Sequence, residues 1–183
     1  METAQLVSRC QAGEPAAIED FICKYQHIVH RLALSILDDT DEVEDATQDV
    51  FIAALAGLSS FRGQSEIETW LYAITVNVCL KKLRTRKRWN HLITRVRETW
   101  LHDRNTGTTR LEETVLQNEV DATVWAAIQA LDDKHRIPMI LRYYHHLPVS
   151  KISSILGVKE GTVHSRLNKA RQRLKAALHD VIL

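Results

Sequence analysis

Signals for β-structure are nearly missing from this chain of 183 residues. Only three prolines and six glycines punctuate it, and helical periodicity fills most of the rest. Cysteine is scarce and odd in number: Cys10, Cys23 and Cys79 share no CxxC spacing. That argues against a disulfide framework and a closed zinc site. Each lies in a segment that reads as helix, as a small buried or half-buried thiol in a reducing compartment. The nine histidines are scattered, and the adjacent His145 and His146 cannot share a helix face as metal ligands would. No metal site and no cofactor are expected. There is no glycine-rich phosphate loop and no nucleophile elbow. No catalytic residue is nominated, and the chain is expected not to be an enzyme. The start, Met1-Glu2-Thr3-Ala4-Gln5, has neither a basic stretch nor an apolar core. No apolar run approaches the ~20 residues of a membrane span. A soluble, cytoplasmic protein without membrane insertion is the expectation.

What is present is charge, sorted by sign along the sequence. A formal net charge of +1 hides this sorting. Asp38, Asp39, Asp41, Glu42, Glu44, Asp45 and Asp49 come without an intervening Lys or Arg. Lys81, Lys82, Arg84, Arg86, Lys87, Arg88, Arg95 and Arg97 follow, with no acid among them until Glu98. An acidic helix suits a basic protein surface, and a basic one suits phosphates. One small domain with both suggests an adaptor between a protein machine and a nucleic acid.

Helices can be placed from apolar spacing. Ala16 to Leu37 supplies one or two. Val43, Ala46, Val50, Phe51, Ala54, Leu55 and Leu58 form a single stripe of the next, with Asp41 and Glu44 near its start. Phe51 lies on that stripe and is core first. Ser65-x-x-Glu68 reads as a capping box that opens a Trp70-led helix after a loop, Ser59 to Ser65, with Phe61 and Gly63 in it. A polar stretch from His102 to Arg110 without apolar period reads as a flexible linker. The expected division is an N-terminal helical domain at 1–97, a linker at 98–118 and a second helical domain at 119–183: an all-α fold of two small domains.

In the second domain, Val120, Val124, Ala127, Ile128 and Leu131 make one helix face, and Asp132 caps the next helix, with Pro138 in its first turns. Leu147-Pro148 breaks the chain. A short helix from Ser150 to Leu156, the turn at Gly157 and a longer basic helix then give a helix-turn-helix signature. Ile152, Ile155 and Leu156 are expected to pack on Val163 and Leu167. The outer face then offers Lys159, His164, Ser165, Arg166, Asn168, Lys169, Arg171 and Arg173 to a DNA major groove.

Four stretches carry a resemblance: Asp45-Ala46-Thr47-Gln48-Asp49-Val50-Phe51; Phe61-Arg62-Gly63-Gln64-Ser65; Thr69-Trp70-Leu71-Tyr72-Ala73-Ile74-Thr75-Val76-Asn77; and Leu156 through Leu167 with Lys169-Ala170-Arg171. In this order they resemble the extracytoplasmic-function (ECF) sigma factors of bacterial RNA polymerase, of the sigma-70 family. The resemblance implies a helix-turn-helix domain that reads the −35 element and an N-terminal domain that docks on core polymerase and opens the −10 element. Asp45, Gln48, Asp49 and Phe51 would meet the β′ clamp helices, with the β subunit also a partner. Phe61, Arg62, Trp70, Asn77, Lys81, Lys82, Arg84, Arg86, Lys87 and Arg88 would meet −10 DNA. Of these, Phe61 would wall a flipped base, Asn77 would bond it, and the basic run from Lys81 to Arg88 would follow phosphates. Lys159, Glu160, Thr162, His164, Ser165, Arg166, Asn168, Lys169 and Arg171 would meet −35 DNA. His164 departs from the Arg or Lys common at its position. An anti-sigma factor is the implied inhibitor. The alternative from the residues alone is a free-standing helix-turn-helix regulator with a helical sensor or dimerisation domain.

Overall fold

The computed structural model describes residues 3–100 and 119–179, with side chains over 3–90 and 122–178. All regular structure among the described residues is helical, in two domains.

The first domain contains α1 (Thr3–Gln11), α2 (Pro15–Leu37), α3 (Thr40–Leu58) and α4 (Ile67–Trp100). Pro15 opens α2, where its missing N–H leaves no bond unmade. Asp38 closes that helix in the left-handed region (φ 58°), its N–H donating to the Leu34 carbonyl at 3.3 Å. Asp39 then caps α3 by accepting from the Glu42 N–H at 3.1 Å. Asp41 and Glu42, rather than Asp41 and Glu44, occupy its first turn, at the positive end of the helix dipole.

The expected stripe of α3 is buried at Val43, Ala46, Val50, Phe51, Ala54 and Leu58. α4 opens one residue later than expected. The Glu66 carbonyl accepts its first helical bond from the Trp70 N–H at 3.1 Å, so the cap position falls on Glu66 and not on Ser65. The helix then runs unbroken to Trp100, about 50 Å long. The expected linker at 98–118 lies, beyond Trp100, outside the described residues.

The second domain contains α5 (Glu119–Gln129), α6 (Asp133–Met139), a π-helical turn (Ile140–Tyr144), α7 (Val149–Leu156) and α8 (Glu160–His179). Asp132 caps α6 as expected, accepting from the His135 N–H at 3.3 Å. Pro138 is the sixth residue of α6, in its second turn and past the N-terminal positions whose N–H groups have no helical partner. The chain then widens into the π-turn, where His145 N–H reaches back to the Ile140 carbonyl at 3.1 Å. A proline that cannot continue the ordinary bonding ladder sits where such a change of pitch is tolerated.

α7 ends on Gly157 in the left-handed region (φ 62°). The Gly157 N–H donates to the Ser154 carbonyl and the Val158 N–H to the Ser153 carbonyl, the paired bonds of a Schellman stop. α8 restarts at once, with Thr162 and Val163 N–H groups on the Lys159 carbonyl.

Two apolar cores hold these elements. One lies among α1–α4, around Phe21, Tyr25, Val50, Phe51 and Leu71. The other is continuous across both domains, joining Leu32, Ile36, Val76 and Leu83 to Ile140, Ile152, Ile155 and Leu167. His145 is built into this seam. Its Nε2 is 3.2 Å from Ser35 Oγ and its Nδ1 is 3.4 Å from Tyr72 Oη. The Ser35 hydroxyl already donates to the Leu32 carbonyl at 2.8 Å, so it accepts from His145 Nε2–H, leaving Nδ1 to accept from Tyr72. Gln129 Nε2 also reaches the Ser35 carbonyl at 3.3 Å, and the ion pairs Lys87–Asp133 (2.7 Å) and Lys151–Glu66 (2.5 Å) cross the same seam.

Candidate nucleic-acid interface

Asp45, Gln48, Asp49 and Ile52 follow each other at i, i+3, i+4 and i+7 on α3, and all four are exposed. They form one outward face, acidic and polar at its start and apolar at its C-terminal end, where Ile52 keeps 68% of its surface accessible. Phe51 points the opposite way. It is 6% exposed and packs edge-on to Phe21, with ring centres 6.4 Å apart. The sequence nominated Phe51, core first, and left Ile52 unassigned. The signal was present, because Ile52 is an isoleucine that falls off the buried stripe.

The acidic face is not isolated from the basic run of α4. Lys82 pairs with Asp49 and Arg86 with Glu42, each at 3.2 Å, while Lys87 pairs with Asp133 across the seam. The six cations expected to follow phosphates are therefore divided. Lys82, Arg86 and Lys87 are held by the chain's own carboxylates, whereas Lys81, Arg84 and Arg88 are exposed and carry no ion pair among the described residues.

Between α3 and α4 the loop builds a cavity of about 320 Å³, lined by Ser60, Phe61, Arg62, Gln64, Ser65 and Trp70. Phe61 and Trp70 stand 5.1 Å apart between ring centres at a tilt of 46°. Both are half-buried, so each has an accessible edge. Trp70 can lie this low because α3 has Gly57 beneath it: a Cβ there would come within 3.3 Å of the indole.

From Trp70 a single face continues along α4 through Ala73, Asn77, Lys81, Arg84 and Arg88, at steps of three or four residues. Asn77, Lys81, Arg84 and Arg88 are exposed. The row thus starts at an aromatic cavity, passes an amide and ends in three cations. Trp89, 66% exposed beside Arg88, is a further aromatic that sequence reading left unassigned.

On the second domain α8 buries Val163, Leu167, Ala170 and Leu174 and turns the rest outward. Lys159, Glu160, Thr162, His164, Ser165, Asn168, Lys169 and Arg171 are exposed, and Arg166 is half-buried. Arg171 is pre-positioned: its guanidinium donates to Tyr143 Oη at 2.9 Å and to Asn168 Oδ1 at 2.7 Å. Asn168 therefore keeps its amide N–H groups for an outside acceptor. Arg173 is spoken for differently, bonded to Asp132 at 2.9 Å. Although burial pushes the Asp132 carboxyl upward, the bonds from Arg173 and His135 outweigh it and hold its pKa at about 2. Among the described residues no group of side chains could hold a metal ion.

Residues 21–89 match Sigma-70 region 2, and residues 122–174 match Sigma-70, region 4. The RNA polymerase sigma-H factor of Pseudomonas aeruginosa is 32% identical over 97% of this chain and 94% of its own length. The chain belongs to the sigma-70 family, as an ECF sigma factor. The ECF sigma-E factor of Escherichia coli K12 is 30% identical, again over 97% of this chain and 94% of its own. Among solved structures, the sigma factor RpoE of Bartonella quintana, in complex with the anti-sigma factor NepR, shares the fold with a TM-score of 0.64. It is 22% identical and covers 88% of this chain and 96% of its own. Promoter recognition for RNA polymerase is the function of this sigma factor, and its family consists of DNA-binding initiation factors rather than enzymes. The region 2 match displaces the free-standing regulator as a reading of the N-terminal domain. No helix among the described residues is long and apolar enough to cross a membrane.

Proposed function

We propose that this sigma factor docks on core polymerase through the α3 face of Asp45, Gln48, Asp49 and Ile52, with Phe51 supporting that face from the core. The Phe61 cavity and the α4 row receive the −10 strand. One observation carries this reading: the row from the half-buried Trp70 to the exposed Asn77, Lys81, Arg84 and Arg88, which begins at the loop cavity. A strand leaving a duplex presents a flat base and a charged backbone at once. A half-buried aromatic pair suits the base, Asn77 its hydrogen-bonding edge, and the following cations its phosphates. Unstacking costs a few kcal/mol per base, within the reach of such a pocket plus backbone contacts.

The exposed face of α8 reads the −35 element as duplex, with Asn168, Lys169, Ser165 and His164 nearest the groove floor and Arg171 oriented by Tyr143. His164 offers this reader an imidazole, a shorter and planar hydrogen-bonding group, where Arg or Lys is common. The chain works in the cytoplasm beside the polymerase and is held inactive by an anti-sigma factor, as the Bartonella quintana relative is bound by NepR.

Run-off transcription with bacterial core enzyme on genomic fragments identifies the promoter. On that promoter Asn77→Ala is expected to lower open-complex yield about tenfold, the equivalent of one or two lost hydrogen bonds, with core binding unchanged. Unchanged yield at Asn77→Ala would remove the row from −10 recognition.

A further inference from the structure

The loop that carries Phe61 has few bonds of its own. Ser60 and Phe61 N–H groups fold back on the Gly57 and Leu58 carbonyls at 3.1 Å, and beyond that the segment to Ser65 is irregular. An aromatic meant to meet a base needs a fixed backbone beneath it. That anchor comes from elsewhere in the chain. Gln11, the last residue of α1, places its side-chain Nε2 at 2.9 Å from the Leu58 carbonyl and 3.0 Å from the Phe61 carbonyl.

A primary amide nitrogen has two hydrogens. Here each has its own acceptor, one on the last residue of α3 and the other on the cavity-forming phenylalanine itself. Only the nitrogen end of the carboxamide can occupy this position, because both neighbours are carbonyl oxygens.

Gln11 is itself exposed, but the helix that presents it is anchored. Leu6, Val7 and Cys10 bury the inner side of α1, and Cys10 Sγ–H donates to the Ala17 carbonyl at 3.1 Å. Arg9 and Glu14 pair across the turn that follows. Phe61 thus has α1 on one side and Trp70 on the other. A groove of about 460 Å³ that includes Val7 and Gln11 meets the ring from the α1 side. α1 lies ahead of residues 21–89, the part that matches Sigma-70 region 2.

We propose that Gln11 is a positioning residue of promoter opening: it sets the Phe61 backbone, and through it the base-receiving cavity, without touching DNA. This rests on the reading of Phe61 given above. The test compares holoenzymes built on Gln11→Glu, Phe61→Ala and the double variant, on the duplex promoter and on the same promoter with a premelted −10 segment. Opening is scored per polymerase-bound sigma, so a change in folding or docking does not enter the result.

Gln11→Glu keeps the side chain's shape but puts one carboxylate oxygen, an acceptor, where Nε2 donated to both carbonyl oxygens. It is expected to lower opening of the duplex promoter roughly tenfold, in line with two lost hydrogen bonds. Phe61→Ala alone lowers opening at least as much, and adding Gln11→Glu to it costs nothing further. Gln11→Met, which removes the donors without adding charge, lowers opening in the same direction by less. Wild-type opening in Gln11→Glu, or losses that multiply in the double variant, overturns the proposal. If Phe61→Ala itself opens the promoter normally, it is the assignment of Phe61 that fails; the two failures are separable.

Discussion

Neighbouring residues of α3 show how one position along a helix divides a core site from an exposed one. Phe51 fills the core against Phe21, while Ile52 stands 68% exposed on the acidic face. Truncating a buried phenylalanine removes its transfer energy and leaves a cavity, typically 3–5 kcal/mol. Truncating an exposed isoleucine changes stability by about 0.5 kcal/mol or less. Phe51→Ala is therefore expected to lower the unfolding temperature sharply. Ile52→Ala should leave it in place and weaken core-polymerase binding by about tenfold, as loss of an apolar anchor from the proposed docking face does. Denaturation and polymerase titration on the same two variants check both halves. The sequence carried the periodicity that buries Phe51, and the family resemblance added a docking role at the same residue. What exposes Ile52 is only its phase on the helix, which the same periodicity already contained.

At the scale of elements, turns and caps were readable where their chemistry is local. Gly157 was expected to reverse the chain, and it does so with a positive φ and both bonds of the Schellman stop. A Cβ added there would meet nothing within 4 Å, so the cost of Gly157→Ala is backbone strain alone. Thermal or urea unfolding should show a loss of about 1 kcal/mol, and −35 DNA binding should weaken with it as α8 loses its angle on α7. No loss of stability would mean that the turn relaxes into another form. The Ser65 cap was misplaced by one residue, since bonding patterns at helix ends depend on the tertiary direction of the incoming chain. The clamp from Gln11 to the Phe61 loop joins positions 50 residues apart, and no local pattern announces such a bond.

For the whole molecule the seam between domains is the feature that sequence did not reveal. Linear charge segregation suggested one negative and one positive side. The fold instead crosses them, with Lys82 on Asp49, Arg86 on Glu42 and Lys87 on Asp133. His145, at the centre of the seam, responds to pH in a defined direction. Burial, helped by Arg31 and His146, drives its pKa from an ordinary 6.5 down to about 4. The packed protein thus keeps His145 neutral while the unfolded chain takes a proton. The stability that follows from this is complete above about pH 6.5 and is lost progressively as pH falls toward 4. The unfolding temperature of the wild-type chain should therefore fall faster between pH 7 and 5 than that of His145→Gln, which has no such proton to exclude. Parallel curves would show that His145 is not the group responsible.

The most direct test of the account as a whole is strand reactivity at the promoter. Core polymerase charged with this chain is mixed with the promoter it selects, and unpaired thymines are mapped by permanganate. Opened bases confined to the −10 segment with wild type, and a tenfold weaker signal with Asn77→Ala at equal polymerase occupancy, are the predicted result. Full reactivity with the variant, or none with the wild type, would contradict it.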